Sequence, residues 1–217
     1  MSGLFEAFER IQLSSHNRMG IDIDTEGWAM DGSSGFFVAE HKQTLVFDAD
    51  QDGDMDVLWV TGARTMYTNS GPQQEKQPNF LLKNNGTGWF YTPDEEELVW
   101  PGTLGTSSAA VAGDFDGDGS IDVFIVNSKE QNQLVLNDGN GKIFSASTNA
   151  GDATALSRDS RDVVAGDFAG DGDLDLFVVN MKEVNELFLN DGSGHFTAVY
   201  EGDAVESNGM SNRVVAA

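Results

Sequence analysis

The chain has 217 residues, 36 acidic against 12 basic side chains, a formal net charge of −24 and no cysteine. Phosphate binding needs clustered Lys and Arg, so this balance argues against a nucleic-acid partner or an anionic membrane surface; no apolar run reaches the ~18 residues of a membrane-spanning helix, and disulfides, Cys-ligated zinc and thiol catalysis are excluded. Disorder is not implied, because 39% hydrophobic residues with 14 Phe and 4 Trp suffice for a core.

Residues 1–42 form an N-terminal segment that could supply part of a structural unit. Acids stand near the start, at Glu6 and Glu9, where a signal peptide needs a basic region and then a long apolar core. Leu4, Phe8 and Ile11 have the spacing of a short amphipathic helix, with a strand as the alternative. Asp22-Ile23-Asp24-Thr25-Glu26-Gly27 reads as a polar turn.

Three repeats follow, at residues 43–104, 105–156 and 157–208. Each contains an acidic box: Asp48-Ala49-Asp50-Gln51-Asp52-Gly53-Asp54-Met55-Asp56, then Asp114-Phe115-Asp116-Gly117-Asp118-Gly119-Ser120-Ile121-Asp122, then Asp167-Phe168-Ala169-Gly170-Asp171-Gly172-Asp173-Leu174-Asp175. A short apolar run precedes the second and third boxes and predicts a buried strand. The box itself, rich in Asp and Gly, predicts a loop. The unbroken runs after it, such as Val123-Phe124-Ile125-Val126, predict a strand buried on both faces. A second motif then begins at Asn79, Asn132 or Asn185, with Leu two residues on and Asn84, Asn137 or Asn190 three after that. It predicts a third strand and a tight Gly-rich hairpin, after which Phe90, Phe144 or Phe196 opens a fourth. Four short strands per repeat with both sheet faces covered predict an all-β fold, a β-propeller or propeller segment of four-stranded antiparallel blades. A two-sheet sandwich is the competing architecture.

The first repeat alone has an insertion, residues 62–78, for which a disordered loop and a binding loop are equal expectations. The hairpin glycines and Phe residues are expected to serve turns and core only. Core packing is the expected role of Trp89, Tyr91 and Trp100, and Asp94-Glu95-Glu96-Glu97 is expected to be a solvated loop. Asn85-Gly86-Thr87 fits a glycosylation sequon set in a tight turn. The last residues, Ser211-Asn212-Arg213-Val214-Val215-Ala216-Ala217, repeat the pattern of Ser160-Arg161-Asp162-Val163-Val164-Ala165-Gly166. Residues 209–217 therefore predict the first strand of a further repeat, as in a fragment of a longer chain or a unit completed from elsewhere.

Asp at positions 1, 3, 5 and 9 of the box, with Gly at 6, is the spacing of a calcium loop. Hard Ca²⁺ takes 6–8 oxygen ligands, and alternate residues of a tight loop can aim carboxylates at one point. The first box would use Asp48, Asp50, Asp52 and Asp56 with the carbonyl of Asp54. The second would use Asp114, Asp116, Asp118 and Asp122 with the carbonyl of Ser120. The third would use Asp167, Asp171 and Asp175 with the carbonyl of Asp173, and Ala169 removes one ligand. Two full Ca²⁺ sites and a third of reduced ligation are expected; Mg²⁺ fits less well, because it keeps its waters and a strict octahedron. The bland alternative is three solvated acidic turns, but converging carboxylates repel one another without a cation.

The run Val111-Ala112-Gly113-Asp114-Phe115-Asp116-Gly117-Asp118-Gly119 closing on Asp122, with its Asn-x-Leu-x-x-Asn-x-Gly-x-Gly partner, resembles FG-GAP repeats, also called VCBS repeats, as in integrin alpha subunits and cartilage-acidic-protein-like proteins. The resemblance spans roughly 43–217. It implies one propeller blade per repeat, Ca²⁺ in the loop between a blade's first two strands, and an extracellular or cell-surface role in adhesion, ligand binding or assembly. The first residues do not read as a leader peptide. The expected partners are a protein or glycan ligand, further repeats, or neighbouring subunits. No catalysis is expected: His16, His41 and His195 share no spacing, and His195 is expected at the surface. The alternative is a propeller domain of a polysaccharide-binding or polysaccharide-processing protein.

Overall fold

The protein is described from a computed structural model, in which residues 28–29, 37–38, 41–68, 70–93, 104–138, 144–206, 208–210 and 213–214 are placed. The fold is all-β. The first unit contains strands β3 (His41–Phe47), β4 (Asp56–Thr61), β8 (Phe80–Asn84) and β9 (Phe90–Tyr91), paired antiparallel in that order. It is preceded by β1 (Trp28–Ala29) and β2 (Phe37–Val38), and interrupted by β5 (Arg64–Thr68), β6 (Gly71–Glu75) and β7 (Gln77–Pro78). After β10 (Leu104–Gly105), the second unit is β11 (Ser107–Gly113), β12 (Asp122–Gln131), β13 (Gln133–Asn137) and β14 (Phe144–Ala146). The third is β15 (Ser157–Gly166), β16 (Asp175–Val184), β17 (Glu186–Asn190) and β18 (Phe196–Val199). A four-residue helix α1 (Asp203–Glu206) and β19 (Asn208–Met210) complete the described chain. Each box lies in the loop between the first and second strands of its unit, as the sequence predicts.

The insertion departs from the disordered-loop expectation. Strands β5 and β6 pair as a hairpin, in register from Arg64↔Glu75 to Thr68↔Gly71. That hairpin extends an antiparallel sheet whose other strands, β1 and β2, come from the N-terminal segment. The N-terminal strands thus join the insertion's hairpin in one four-stranded antiparallel sheet. Asp22 to Gly27, Leu4, Phe8, Ile11, Asp94 to Glu97 and Trp100 lie outside the described residues.

Successive units hand a strand on to one another. The first part of β12 pairs with β11 and β13, whereas its end (Ser128, Glu130, Gln131) pairs with the start of β15. Between these parts lies a bulge at Lys129, whose φ is +62°. The same bulge recurs at Lys182, with φ +63°, and the end of β16 pairs with β19 at Met181↔Met210 and Val184↔Asn208. In the first unit the insertion breaks the long second strand, and β7 takes over its outer half by pairing with β10.

Two apolar layers separate the three units, and strand periodicity assigns residues to each. On β12, Val123 and Ile125 face the layer shared with unit 1, and Phe124 and Val126 the layer shared with unit 3. On β13, Val135 and Leu134 divide in the same way. This two-sided burial is why the run after the second box is unbroken and apolar. Repeats that cover one another's faces in this way fit a segment of a propeller.

Candidate metal centre in the acidic boxes

Position 9 of each box opens the second strand, and the strand buries it completely: Asp56, Asp122 and Asp175 are each 0% exposed. One oxygen of each accepts backbone N–H bonds from inside the box, from Ala49 at 2.9 Å, from Phe115 at 2.9 Å, and from Phe168 and Ala169 at 2.8 and 3.0 Å. The other accepts the backbone N–H of Asn84, Asn137 or Asn190 at 2.8–2.9 Å. The buried Asp therefore ties its loop to the third strand. Burial raises the pKa of Asp56, and pushes that of Asp122 to about 6 against the pull of its two backbone donors, with Asp116 and Asp118 adding to the rise.

Position 1 shapes the loop. Asp48 accepts from the N–H groups of Asp52 and Gly53, Asp114 from Gly117 and Gly119, and Asp167 from Gly170, Asp171 and Gly172. Position 5 makes a smaller turn, with Asp52, Asp118 and Asp171 each accepting the N–H two residues on. Gly at position 6 is required, since Gly53, Gly119 and Gly172 have φ of +93°, +90° and +99°.

Carboxylate oxygens of Asp48, Asp50 and Asp56 converge to within 4.8 Å of one another, and so do those of Asp114, Asp116 and Asp118. These sets use positions 1, 3 and 9 in the first box and 1, 3 and 5 in the second. Asp52, Asp54, Asp122 and Ser120 stand outside the converging sets, although each belongs to its loop. In the third box, Asp167, Asp171, Asp173 and Asp175 form no such triad among the described residues. Position 3 there is Ala169, whose N–H binds the Asp175 carboxylate.

Position 7 does something the spacing does not announce. A Cβ on Gly86 would lie 2.6 Å from the Asp54 carboxylate, and one on Gly192 would lie 2.8 Å from that of Asp173. These hairpin glycines thus give room to box side chains and are more than turn formers.

The Asn of the second motif was expected only to begin a strand and a turn. It also joins units. Asn137 donates through Nδ2 to the carbonyl of Ala49 in the preceding box at 3.0 Å, and Asn190 does the same to Phe115 at 2.8 Å. The hairpin of unit 3 is thereby drawn over the second box, where a Cβ on Gly117 would lie 3.1 Å from the Gly192 carbonyl. The other motif Asn caps the turn between second and third strands: Asn79, Asn132 and Asn185 accept the N–H of Thr61, Asn127 and Asn180. The repetition of both Asn positions in the sequence was the available signal for these roles.

The core expectation for Trp89 is revised, since it is 46% exposed on the hairpin. Tyr91 is half-buried, and His195, on the third hairpin, is half-buried beside Gly151. His41 meets the edge of Trp59, with ring centroids 5.3 Å apart.

A family model of FG-GAP-like repeats matches residues 48–125, 114–178 and 167–217. The chain belongs to the FG-GAP-like repeat family. The first two matches run from one acidic box through the strand after the next, and the third begins at the third box. The box, the following strands and the hand-over to the next box thus form the repeating element. A search of curated proteins gives no match. Among the described residues no helix is long and apolar enough to cross a membrane.

Proposed function

We propose that this FG-GAP-like chain is a calcium-binding β-propeller module, of four-stranded blades, that works without catalysis in extracellular adhesion, ligand binding or assembly. The observation supporting it most is the convergence of three carboxylates in each of two boxes, with positions 1 and 3 common to both sets. The donor set is all hard oxygen, as Ca²⁺ requires. Asp50 Oδ1 is buried without a hydrogen-bond partner, an acceptor suited to a cation. Asp48, Asp50 and Asp56 would hold one ion, and Asp114, Asp116 and Asp118 another. Bound Ca²⁺ would offset the repulsion among these groups, and its binding free energy would add to folding free energy. Sites of millimolar affinity fill outside the cell, which is the reason for the extracellular placement.

The ligand in this reading is a protein or glycan, or further repeats of the same kind. Trp89, exposed on the first hairpin, is the observation that favours glycan contact. The deciding experiment is a thermal melt with Ca²⁺ and with excess chelator. Saturation to ten times Kd at each of two sites should add about 1.4 kcal/mol per site, hence several degrees in Tm. Identical melts in both buffers, with no calorimetric binding signal, would refute the reading.

A further inference from the structure

The first two boxes do not have the same surroundings. Lys83, on β8, forms an ion pair with the Oδ2 atom of Asp50, and the two side chains are only 14% and 12% exposed. The other oxygen of Asp50 is buried and unpartnered. Asp50 belongs to the converging set Asp48, Asp50, Asp56. An ammonium group therefore already sits on one member of the first triad. In the motif register, Lys83 corresponds to Leu136 in the second repeat and Leu189 in the third. Leu136 packs against the apolar layer between units 2 and 3. Among the described residues no ion pair reaches Asp114, Asp116 or Asp118.

We propose that Lys83 sets the calcium affinity of the first box: it is a tethered monovalent cation that competes with the divalent ion for Asp50, so the second box fills first and the first box fills at higher calcium. The inference rests on the calcium reading above. Its physical basis is short. Two cations on one carboxylate repel, and little solvent reaches Asp50 and Lys83 to screen them. Displacing Lys83 instead removes a semi-buried ammonium from the Asp50 carboxylate oxygen it pairs with. Either route weakens the first site by about tenfold or more relative to the second. The same pair gives the first loop an internal counter-charge at low calcium, with no equivalent at the second loop among the described residues.

The test is calorimetric titration of the whole chain with Ca²⁺ alone. Wild type should show two sites whose affinities differ by about tenfold or more. Asp114→Asn with Asp116→Asn should abolish the tighter one and leave the weaker. Lys83→Met retains the stem volume without the charge; it should tighten the weaker site towards the stronger and narrow the gap. Lys83→Arg should preserve the gap. Melting in chelator supplies a second readout: Lys83→Met should lower Tm in chelator and widen the difference between chelator and calcium buffers. The proposal is overturned if Lys83→Met leaves both affinities unchanged, or if it weakens the looser site. Complete absence of binding in wild type would instead overturn the calcium reading on which it rests.

Discussion

The second and third boxes are nearly the same sequence put to different use. In both, position 1 gathers the loop amides and position 9 is a fully buried staple to the third strand. Only the second brings three carboxylates together. The second residue also differs in fate, since Phe115 is 0% exposed and Phe168 is 49% exposed. Phe115 lies in the layer between units 2 and 3, against Phe196 at a centroid distance of 6.0 Å. The comparison separates two tasks in one motif. The aspartates at 1 and 9 build the loop from backbone hydrogen bonds and need no ion to do so. Position 3 supplies further charge in both converging sets, joined by position 5 in the second box and by position 9 in the first. Position 2 anchors the loop to a neighbouring unit when one packs over it.

The sharpest way to break this comparison is to truncate the two phenylalanines. Phe115→Ala leaves a cavity in a closed layer and should cost about 3–5 kcal/mol in denaturant unfolding. Phe168→Ala removes a half-exposed ring and should stay within about 0.5–1 kcal/mol. Equal losses would contradict the assignment of Phe115 to the inter-unit layer. Next in size is Asn190→Ala. Its amide donates to the Phe115 and Leu174 carbonyls, and its Oδ1 accepts from Gly192 and Gly194. Losing these inside a buried junction should cost about 2–3 kcal/mol. The substitution lies in unit 3, yet it should raise amide exchange in the second box, because the lost bond ends on Phe115.

A smaller effect sharpens the distinction in charge. Ala169→Asp restores position 3 in the third box. If position 3 is what the box lacks, the variant should bind one more Ca²⁺ than wild type by calorimetry. At ten times the new site's Kd this adds about 1.4 kcal/mol of stability. An unchanged stoichiometry would mean that the exposed third loop fails for a different reason.

The strands, the boxes and the hairpins were legible in the sequence because each has a local signature. The apolar runs after Asp56, Asp122 and Asp175 became strands, and Phe90, Phe144 and Phe196 open the fourth strand of each unit as their spacing implied. What the sequence hid was long-range. The bond from Asn137 to Ala49 crosses 88 residues, and no local pattern distinguishes it from a turn-forming Asn. Lys83 has no counterpart charge at the matching positions Leu136 and Leu189, and only the fold sets it beside Asp50. The insertion had no repeat partner to be read against, and its hairpin pairs with residues 37–38, which are distant in the sequence. Within the boxes, spacing gave every position equal standing as a ligand. Burial then separated the staples from the rest.

Asp122 provides the finest of these tests. Without a cation, burial is the leading reason its carboxyl titrates near 6, with Asp116 and Asp118 contributing further. The ordinary value is 3.8, so between about 4 and 6 the folded chain binds this proton more tightly than the unfolded chain does. The sign follows: this group's contribution to stability is fully present below about 4 and is lost as the pH rises through 6. Carbon-detected NMR titration in chelator should give an Asp122 midpoint near 6. Adding Asp116→Asn and Asp118→Asn should lower it only in part, because burial is unchanged. Calcium should move it down as well, since a nearby divalent charge favours the carboxylate. A midpoint that stays at the ordinary value in chelator would mean that the two backbone N–H bonds outweigh burial. The staple would then work as an anion at every pH, and the second box would need a cation only for positions 1, 3 and 5.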